Sequence, residues 1–137
     1  MDYSYSSLSG ATEPSASTYP LLPVIFIYKH QIINYTIKAL VDSGAENCYC
    51  LKSIGDYLRI NFRRKKPIIS TAANNSKLVG YSESINLLVN GKKIEAPFIF
   101  TANLDPNFPV ILGQNGFFSQ FKVCFNRSQN KFSVDRF

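Results

Sequence analysis

The sequence of 137 residues contains no tryptophan, one histidine and only three cysteines. His30 is therefore the only imidazole that could serve a Ser–His–Asp or Cys–His arrangement, and it lies in a predicted turn. Structural zinc usually takes four cysteine or histidine ligands, so the scarcity of both residue types argues against a zinc site. The sequence thus predicts neither a metal nor a cofactor, and it disfavours serine and cysteine nucleophiles.

The odd number of cysteines disfavours a secreted domain held together by disulfides. Cys48 and Cys50 lie too close on one predicted strand to pair easily with each other. The longest apolar run, Leu21–Tyr28, is far shorter than the ~20 residues that span a bilayer. The first residues also lack the charged-then-apolar order of a signal peptide. These features predict a soluble protein of a reducing compartment, the cytoplasm, with no membrane partner.

Acidic residues are few, and nine Asp and Glu against fifteen Lys and Arg leave a net charge of +6. We interpret the main basic segment as a solvated loop, because a proline follows it and no nucleic-acid motif accompanies it. The alternative, binding to nucleic acid or an acidic partner, predicts binding that weakens as salt increases. The segment consists of Arg59, Arg63, Arg64, Lys65 and Lys66.

Aromatic and β-branched residues are abundant instead, with eleven Phe and eight Tyr. This composition favours strands over helices. Residues 1–19 are rich in Ser and Thr and show no apolar period, which predicts a disordered N-terminal arm. The remaining residues, 20–137, are sufficient for one domain.

Short apolar segments with turn residues between them predict a mostly-β domain. Alternation places Val41 on one face of a long strand over residues 33–41, together with Tyr35. Leu51, Ile54 and Leu58 have helical spacing and predict a short helix, and a second helical turn is expected over residues 114–118. The other predicted strands are 24–28, 67–71, 78–89, 93–100, 110–112, 121–126 and 131–135, with Asn90-Gly91 as the clearest hairpin turn.

Two short motifs carry candidate chemistry. The first, LVDSGA at residues 40–45, places Asp42 where an apolar strand ends, followed by the Ser43 hydroxyl and by Gly44, which permits a tight turn. Asp-Ser-Gly is also a common turn sequence, so this motif alone is compatible with a catalytic loop or with a plain turn. The second, VILG at residues 110–113, is by itself compatible with any buried strand that ends in a turn.

In this order, and with a hairpin between them, the two motifs resemble the signature of the retropepsin family of aspartic peptidases. The resemblance covers roughly residues 22–126, and VILGQNGFF at 110–118 is most similar to small bacterial members. It implies a compact, closed retropepsin-like β-barrel with one or two short helices. The sequence contains one Asp-Ser-Gly, whereas the reaction of this family needs two carboxylates. A homodimer with twofold symmetry is therefore expected.

The resemblance also implies roles for individual residues. Asp42 would be catalytic, with two copies sharing one proton and activating water to hydrolyse an extended peptide or protein substrate. Ser43, Gly44 and Ala45 would support the active-site loop, with Ser43 bonding across the twofold axis. The flap would be the hairpin tip of Ala72, Ala73, Asn74, Asn75 and Ser76. The substrate pocket would be formed by Val41, Ile111, Leu112 and Gly113.

Three departures from the family pattern support an alternative. The flap tip is polar rather than glycine-rich, and Gln114 replaces an Arg common in retroviral members, so no ion pair near Glu46 is expected. The chain also continues past the usual end through the hairpin over Cys124–Phe137. The alternative is a peptide-binding module that has the retropepsin fold and weak or no catalysis.

Overall fold

The computed structural model describes residues 1–9, 17–71 and 77–137. Within these ranges the chain is mostly strand, as predicted, with one short α-helix and one 3-10 helix. None of the helices in the described ranges is long and apolar enough to cross a bilayer. The elements are β1 Asp2–Ser4, β2 Leu21–Tyr28, β3 Gln31–Ile32, β4 Ile37–Val41, β5 Cys48–Leu51, α1 Lys52–Tyr57, β6 Ile68–Thr71, β7 Lys77–Val89, β8 Lys92–Thr101, β9 Val110–Leu112, β10 Phe121–Asn126, the 3-10 helix Arg127–Gln129 and β11 Lys131–Arg136.

Six strands close into a barrel in the order β2, β4, β9, β5, β8 and β7, and the pairing of β7 with β2 completes the circle. β3 and β6 extend β2 and β7 beyond the barrel. Closure gives these six strands partners on both sides, so the barrel itself has no open edge. The closed β-barrel predicted from the sequence is confirmed.

The barrel core is aromatic and aliphatic because alternate residues of each strand point inward. Phe26 and Phe98 meet edge to face with ring centroids 5.7 Å apart, and Phe100 lies 6.3 Å from Phe98. Each of these rings is fully buried. Full burial of one such side chain stabilises the fold by about 1.5–3 kcal/mol relative to leaving it exposed.

A second sheet joins the two ends of the chain in the order β1, β11, β10. The expectation of a disordered arm over residues 1–19 is wrong for the residues of β1, which pair with β11. The rings of Tyr3 and Tyr5 explain the difference, because they pack on Phe132 with centroids 5.4 and 5.8 Å away. A strand of three residues is too short to show an apolar period in the sequence.

Only the second half of the strand predicted over residues 33–41 is a strand, and it forms β4. The two-residue strand β3 ends just before the predicted range begins. Ile33 is buried, but Tyr35 is 62% exposed, so the two do not share an inward face. Residues 114–118 form turns rather than the predicted second helical turn. The hairpin turn is as predicted, with left-handed φ values of 52° at Asn90 and 74° at Gly91.

The basic segment follows α1 on the surface. Lys65 is the member with an ion pair, its Nζ lying 3.2 Å from a carboxylate oxygen of Glu83. Arg59, Arg63, Arg64 and Lys66 are exposed. Its interpretation as a solvated loop stays a prediction that a binding titration at two salt concentrations tests.

Candidate active site

The loop of residues 42–47 crosses the end of β9 because of the strand order. β9 lies between β4, which is parallel to it, and β5, which is antiparallel, so the chain between β4 and β5 must pass over β9. Backbone hydrogen bonds fix this crossing. The N–H of Asp42 donates to the carbonyl of Leu112 at 3.0 Å, and the N–H of Gln114 donates to the carbonyl of Ala45 at 2.8 Å.

Gly113 is required where the two motifs meet. A Cβ atom at this position would lie 2.2 Å from the carbonyl oxygen of Asn47 and 2.6 Å from that of Ala45. Both obstacles are backbone atoms that cannot rotate away. The glycine that ends VILG therefore permits the loop of residues 42–47 to lie directly against β9.

The Asp42 carboxylate is positioned within its own loop. Its Oδ1 accepts a hydrogen bond from the N–H of Gly44 at 2.9 Å. Among the described residues no lysine, arginine or histidine forms an ion pair with it. The side chain is half-buried and lines a cleft, so it can meet another group there.

That cleft has a volume of about 540 Å³. Its described lining carries three carboxylates, Asp42, Glu46 and Asp105, and no lysine or arginine. Aliphatic side chains supply the apolar part of the surface. The full described lining is Asp42, Gly44, Ala45, Glu46, Tyr49, Ser70, Leu78, Asn103, Leu104, Asp105 and Ile111.

The hairpin of β6 and β7 covers one side of the cleft through Ser70 and Leu78, which are paired directly opposite each other. The residues predicted as the flap follow β6 directly in the sequence. Ala72, Ala73, Asn74, Asn75 and Ser76 lie outside the described residues.

The predicted pocket residues divide between cleft and core. Ile111 lines the cleft, but Val41 is 3% exposed and Leu112 is fully buried in the hydrophobic core. Strand alternation is the physical reason, since Ile111 points to the face opposite that of its neighbour Leu112. Gly113 lies beneath the loop of residues 42–47, so the assignment of Val41, Leu112 and Gly113 to the pocket wall is wrong in this chain.

Several cleft residues were missed by sequence reasoning. Tyr49 could have been found, because it alternates with the fully buried Cys48 and Cys50 on β5 and must face the other way. Asn103 and Asp105 lie on a loop without period or motif. Their place at the cleft depends on tertiary packing that the local sequence does not reveal.

The buried Cys48 thiol connects the start of β5 to the turn that follows β9. Its Sγ accepts the N–H of Gly113 at 3.3 Å and donates to the carbonyl of Asn115 at 3.4 Å. Burial raises the pKa of this thiol to about 11, against a weaker opposing effect of backbone hydrogen bonds. Burial also raises the pKa of Cys50 well above its usual value. Neither side chain is accessible as a nucleophile.

We expect these two thiols to resist alkylation in the folded Cys124→Ser variant. At pH 8 a pKa of 11 instead of 9 lowers the thiolate fraction of Cys48 about a hundredfold, and burial also excludes the reagent. Mass spectrometry after iodoacetamide should show no modification of the folded variant and two modified cysteines in urea. Rapid labelling under native conditions would contradict the buried position.

The same shift has a consequence for stability. The folded chain keeps the Cys48 proton between pH 9 and about 11, where an unfolded chain loses it. The contribution of this thiol to the free energy of unfolding is therefore complete below pH 9. It is lost as the pH rises toward 11, so the folded chain should become less stable over this range. Urea denaturation across this range measures the effect.

Gln114 joins the motif loops from the solvent side. Its Nε2 donates to the carbonyl of Ser43 at 2.7 Å. Glu46 forms no ion pair among the described residues. A neutral amide therefore holds the loop that carries Asp42.

Replacing Gln114 by Ala should lower the free energy of unfolding by about 0.5–1.5 kcal/mol, the usual net value of one such hydrogen bond. Gln129→Ala is the matched control, because Gln129 is also exposed and no hydrogen bond of its side chain is found among the described residues. Urea denaturation compares the two variants. Equal effects would show that the Ser43 contact contributes nothing to stability.

The described residues contain no group of three His, Cys, Asp or Glu side chains arranged to hold a metal ion. The only histidine, His30, is exposed in the turn between β2 and β3. The polar side chains of the described cleft lining are three carboxylates, the amide of Asn103 and the hydroxyls of Tyr49 and Ser70.

Comparison with solved structures shows that the chain has a retropepsin-like fold. A retropepsin-like aspartic protease from Rickettsia conorii is similar with a TM-score of 0.64 and 15% identity, over 96% of this chain and 97% of that one. EIAV protease complexed with the inhibitor HBY-793 is similar with a TM-score of 0.54 and 14% identity, over 76% of this chain and 88% of that one. No protein-family model matches the sequence, and no curated protein does. The fold named from the two motifs is confirmed.

Proposed function

We propose that this chain is an aspartic endopeptidase whose active site forms when two copies bring their Asp42 carboxylates together. The observation that supports it most directly is the placement of Asp42. The carboxylate lies on a loop fixed to the end of β9, faces a cleft of about 540 Å³ and has no ion pair among the described residues. One copy supplies one such group, so the proposal includes a homodimer with twofold symmetry.

The proposed mechanism follows from placing two like charges close together. Two neighbouring carboxylates cannot both ionise cheaply, so they hold one proton between them. The ionised member removes a proton from a bound water as the water oxygen attacks the peptide carbonyl carbon. The protonated member donates its proton to the carbonyl oxygen, and the C–N bond then breaks as the amine is protonated. In a symmetric free dimer neither role belongs to one copy.

The cleft suits an extended peptide. Ile111, Leu104 and Leu78 offer apolar contacts, and the backbone of Gly44 offers a carbonyl to the substrate main chain. We assign Ser43 a hydrogen bond across the twofold axis, and residues 72–76 the role of a flap that excludes water. Ser43 is exposed, which leaves its hydroxyl accessible to a second copy.

A peptide-library digest between pH 3 and pH 7, with and without a statine-type transition-state mimic, tests the proposal. We expect internal peptide-bond cleavage that the inhibitor abolishes. Peptide binding without cleavage at any of these pH values would overturn the proposal and favour a peptide-binding module with the same fold. Cleavage that resists the inhibitor but stops with a serine or metal reagent would also overturn it.

The three free cysteines fit a reducing compartment, and we propose the cytoplasm as the site of action. The function requires no cofactor, because both proton transfers are made by carboxylates. Substrate proteins are the proposed partners beside the second copy.

A further inference from the structure

The hairpin of β6 and β7 extends past the part of the barrel that supports it. β8 ends at Thr101, and its last pair with β7 joins Thr101 to Gly80. Among the described residues, residues 77–79 of β7 therefore have no partner on β8, and β6 pairs only with β7. We call β6 together with residues 77–79 the overhang. The ladder holds its two strands to each other but does not attach it to the barrel.

Two side-chain hydrogen bonds attach the overhang to the barrel among the described residues. At the base of the overhang, the buried Thr101 hydroxyl donates to the carbonyl of Val79 at 2.6 Å. Farther out, the hydroxyl oxygens of Tyr49 and Ser70 lie 3.4 Å apart, and either can be the donor. Because Tyr49 belongs to β5, this second bond connects the barrel wall to the hairpin.

The bond between Tyr49 and Ser70 lies well away from the base of the overhang. Ser70 pairs with Leu78, two residues beyond the last pair with β8 at Gly80. At about 3.3 Å per residue, the bond is roughly 7 Å along the hairpin from that pair. A contact at this distance opposes movement of the hairpin away from the barrel more effectively than a contact at its base.

The same bond joins two sides of the cleft. Tyr49 pairs directly with Ile111 on the barrel, and both side chains line the cleft. Ser70 and Leu78 line it from the hairpin. Each side thus contributes one polar and one aliphatic side chain, and the hydrogen bond connects the two polar ones. The gap between hairpin and barrel therefore depends on this bond.

We propose that Tyr49 is a positioning residue that acts through Ser70 and holds the hairpin at the distance from the barrel at which the cleft grips a peptide. This role rests on the proposed function for the reaction it serves, whereas the position of the hairpin is a property of the free chain. Tyr49 takes no part in proton transfer. One hydrogen bond of this kind shifts an equilibrium by about two- to tenfold, so its loss should increase the population of the open hairpin by that factor.

Hydrogen exchange of the free chain tests the position of the hairpin without any substrate. Tyr49→Phe removes the hydroxyl and keeps the ring, so the amides of residues 68–70 and 77–79 should exchange about two- to tenfold faster. The amides of β8 should keep their rates, because the barrel stays closed. Tyr81→Phe is the matched control, since Tyr81 is a half-buried tyrosine of β7 whose hydroxyl has no hydrogen bond among the described residues. Equal exchange in Tyr49→Phe and the wild-type chain would overturn the proposal.

Variants of Ser70 test whether the two side chains act together. Ser70→Ala should accelerate exchange as much as Tyr49→Phe does, and the double variant should exchange no faster, because each change removes the same bond. Ser70→Thr keeps a hydroxyl and should retain the wild-type rates. Ser82→Ala is the control, since Ser82 is an exposed serine of β7. Additive effects of the two changes would show that the side chains act separately and would overturn the pairing.

Peptide hydrolysis separates positioning from a general loss of stability. A bound peptide holds the hairpin closed in every variant, so Tyr49→Phe should raise KM about two- to tenfold and keep kcat within twofold. A fall in kcat at unchanged KM would contradict the positioning role. Faster exchange in a chain that cleaves no peptide would reject the proposed function alone. Cleavage with the same KM in the wild-type chain, Tyr49→Phe and Ser70→Ala would reject this inference alone.

Discussion

Replacing Asp42 by Asn should lower kcat for peptide hydrolysis by about 10²–10⁴-fold, the usual contribution of a positioned general acid or base. The amide cannot take a proton from water, and in the proposed homodimer the change removes both carboxylates at once. Asn has nearly the shape of Asp, and its side-chain oxygen can still accept the Gly44 N–H. The loop should therefore keep its conformation while the chemistry stops.

Initial rates on a peptide cleaved by the wild-type chain measure this loss. Asp56→Asn is the matched control, since Asp56 is an exposed residue of α1, is not part of the described cleft lining and forms an ion pair with Lys52. It should keep kcat within twofold. Light scattering should show that the Asp42→Asn dimer persists. Full activity of purified Asp42→Asn would remove Asp42 from the mechanism.

Replacing Gly113 by Ala should lower the free energy of unfolding by about 3 kcal/mol or more, at the upper end of the overpacking range. The new Cβ would lie 2.2 Å from the Asn47 carbonyl oxygen, which belongs to the loop carrying Asp42. The loop must move away from β9, so peptide hydrolysis should fall together with stability. Urea denaturation and initial rates measure the two effects.

Gly91→Ala is the matched control for this prediction. A Cβ at Gly91 meets no atom within 4 Å, although its φ of 74° is left-handed. The expected loss is therefore limited to backbone strain of about 1 kcal/mol. A Gly113→Ala chain no less stable than Gly91→Ala would show that the loop can shift at little cost.

The sequence was informative where structure is local. The alternation of β7 and β8 and the Asn90-Gly91 turn predicted their hairpin, and α1 follows from the spacing of Leu51, Ile54 and Leu58. The retropepsin-like fold was accessible because LVDSGA and VILG are short, ordered motifs. Each of these patterns depends on residues that are close together in the chain.

The sequence was less informative where distant segments meet. β1 acquires its apolar contact from Phe132, near the other end of the chain, and its own residues give no period. Val41 and Leu112 have an apolar character that suits a pocket or a core equally, and only the paired strands show that both are buried. Asp105 reaches the cleft on a loop that has no motif.

The crossing of residues 42–47 over β9 also bears on the order of events during synthesis. The bond between Asp42 and Leu112 closes a loop of about 70 residues, and contacts that distant form slowly and late in folding. A chain still emerging from the ribosome lacks β9, so its aspartate has no fixed loop. Under the proposed function, the nascent polypeptide should therefore cleave no peptide until translation has passed Gly113.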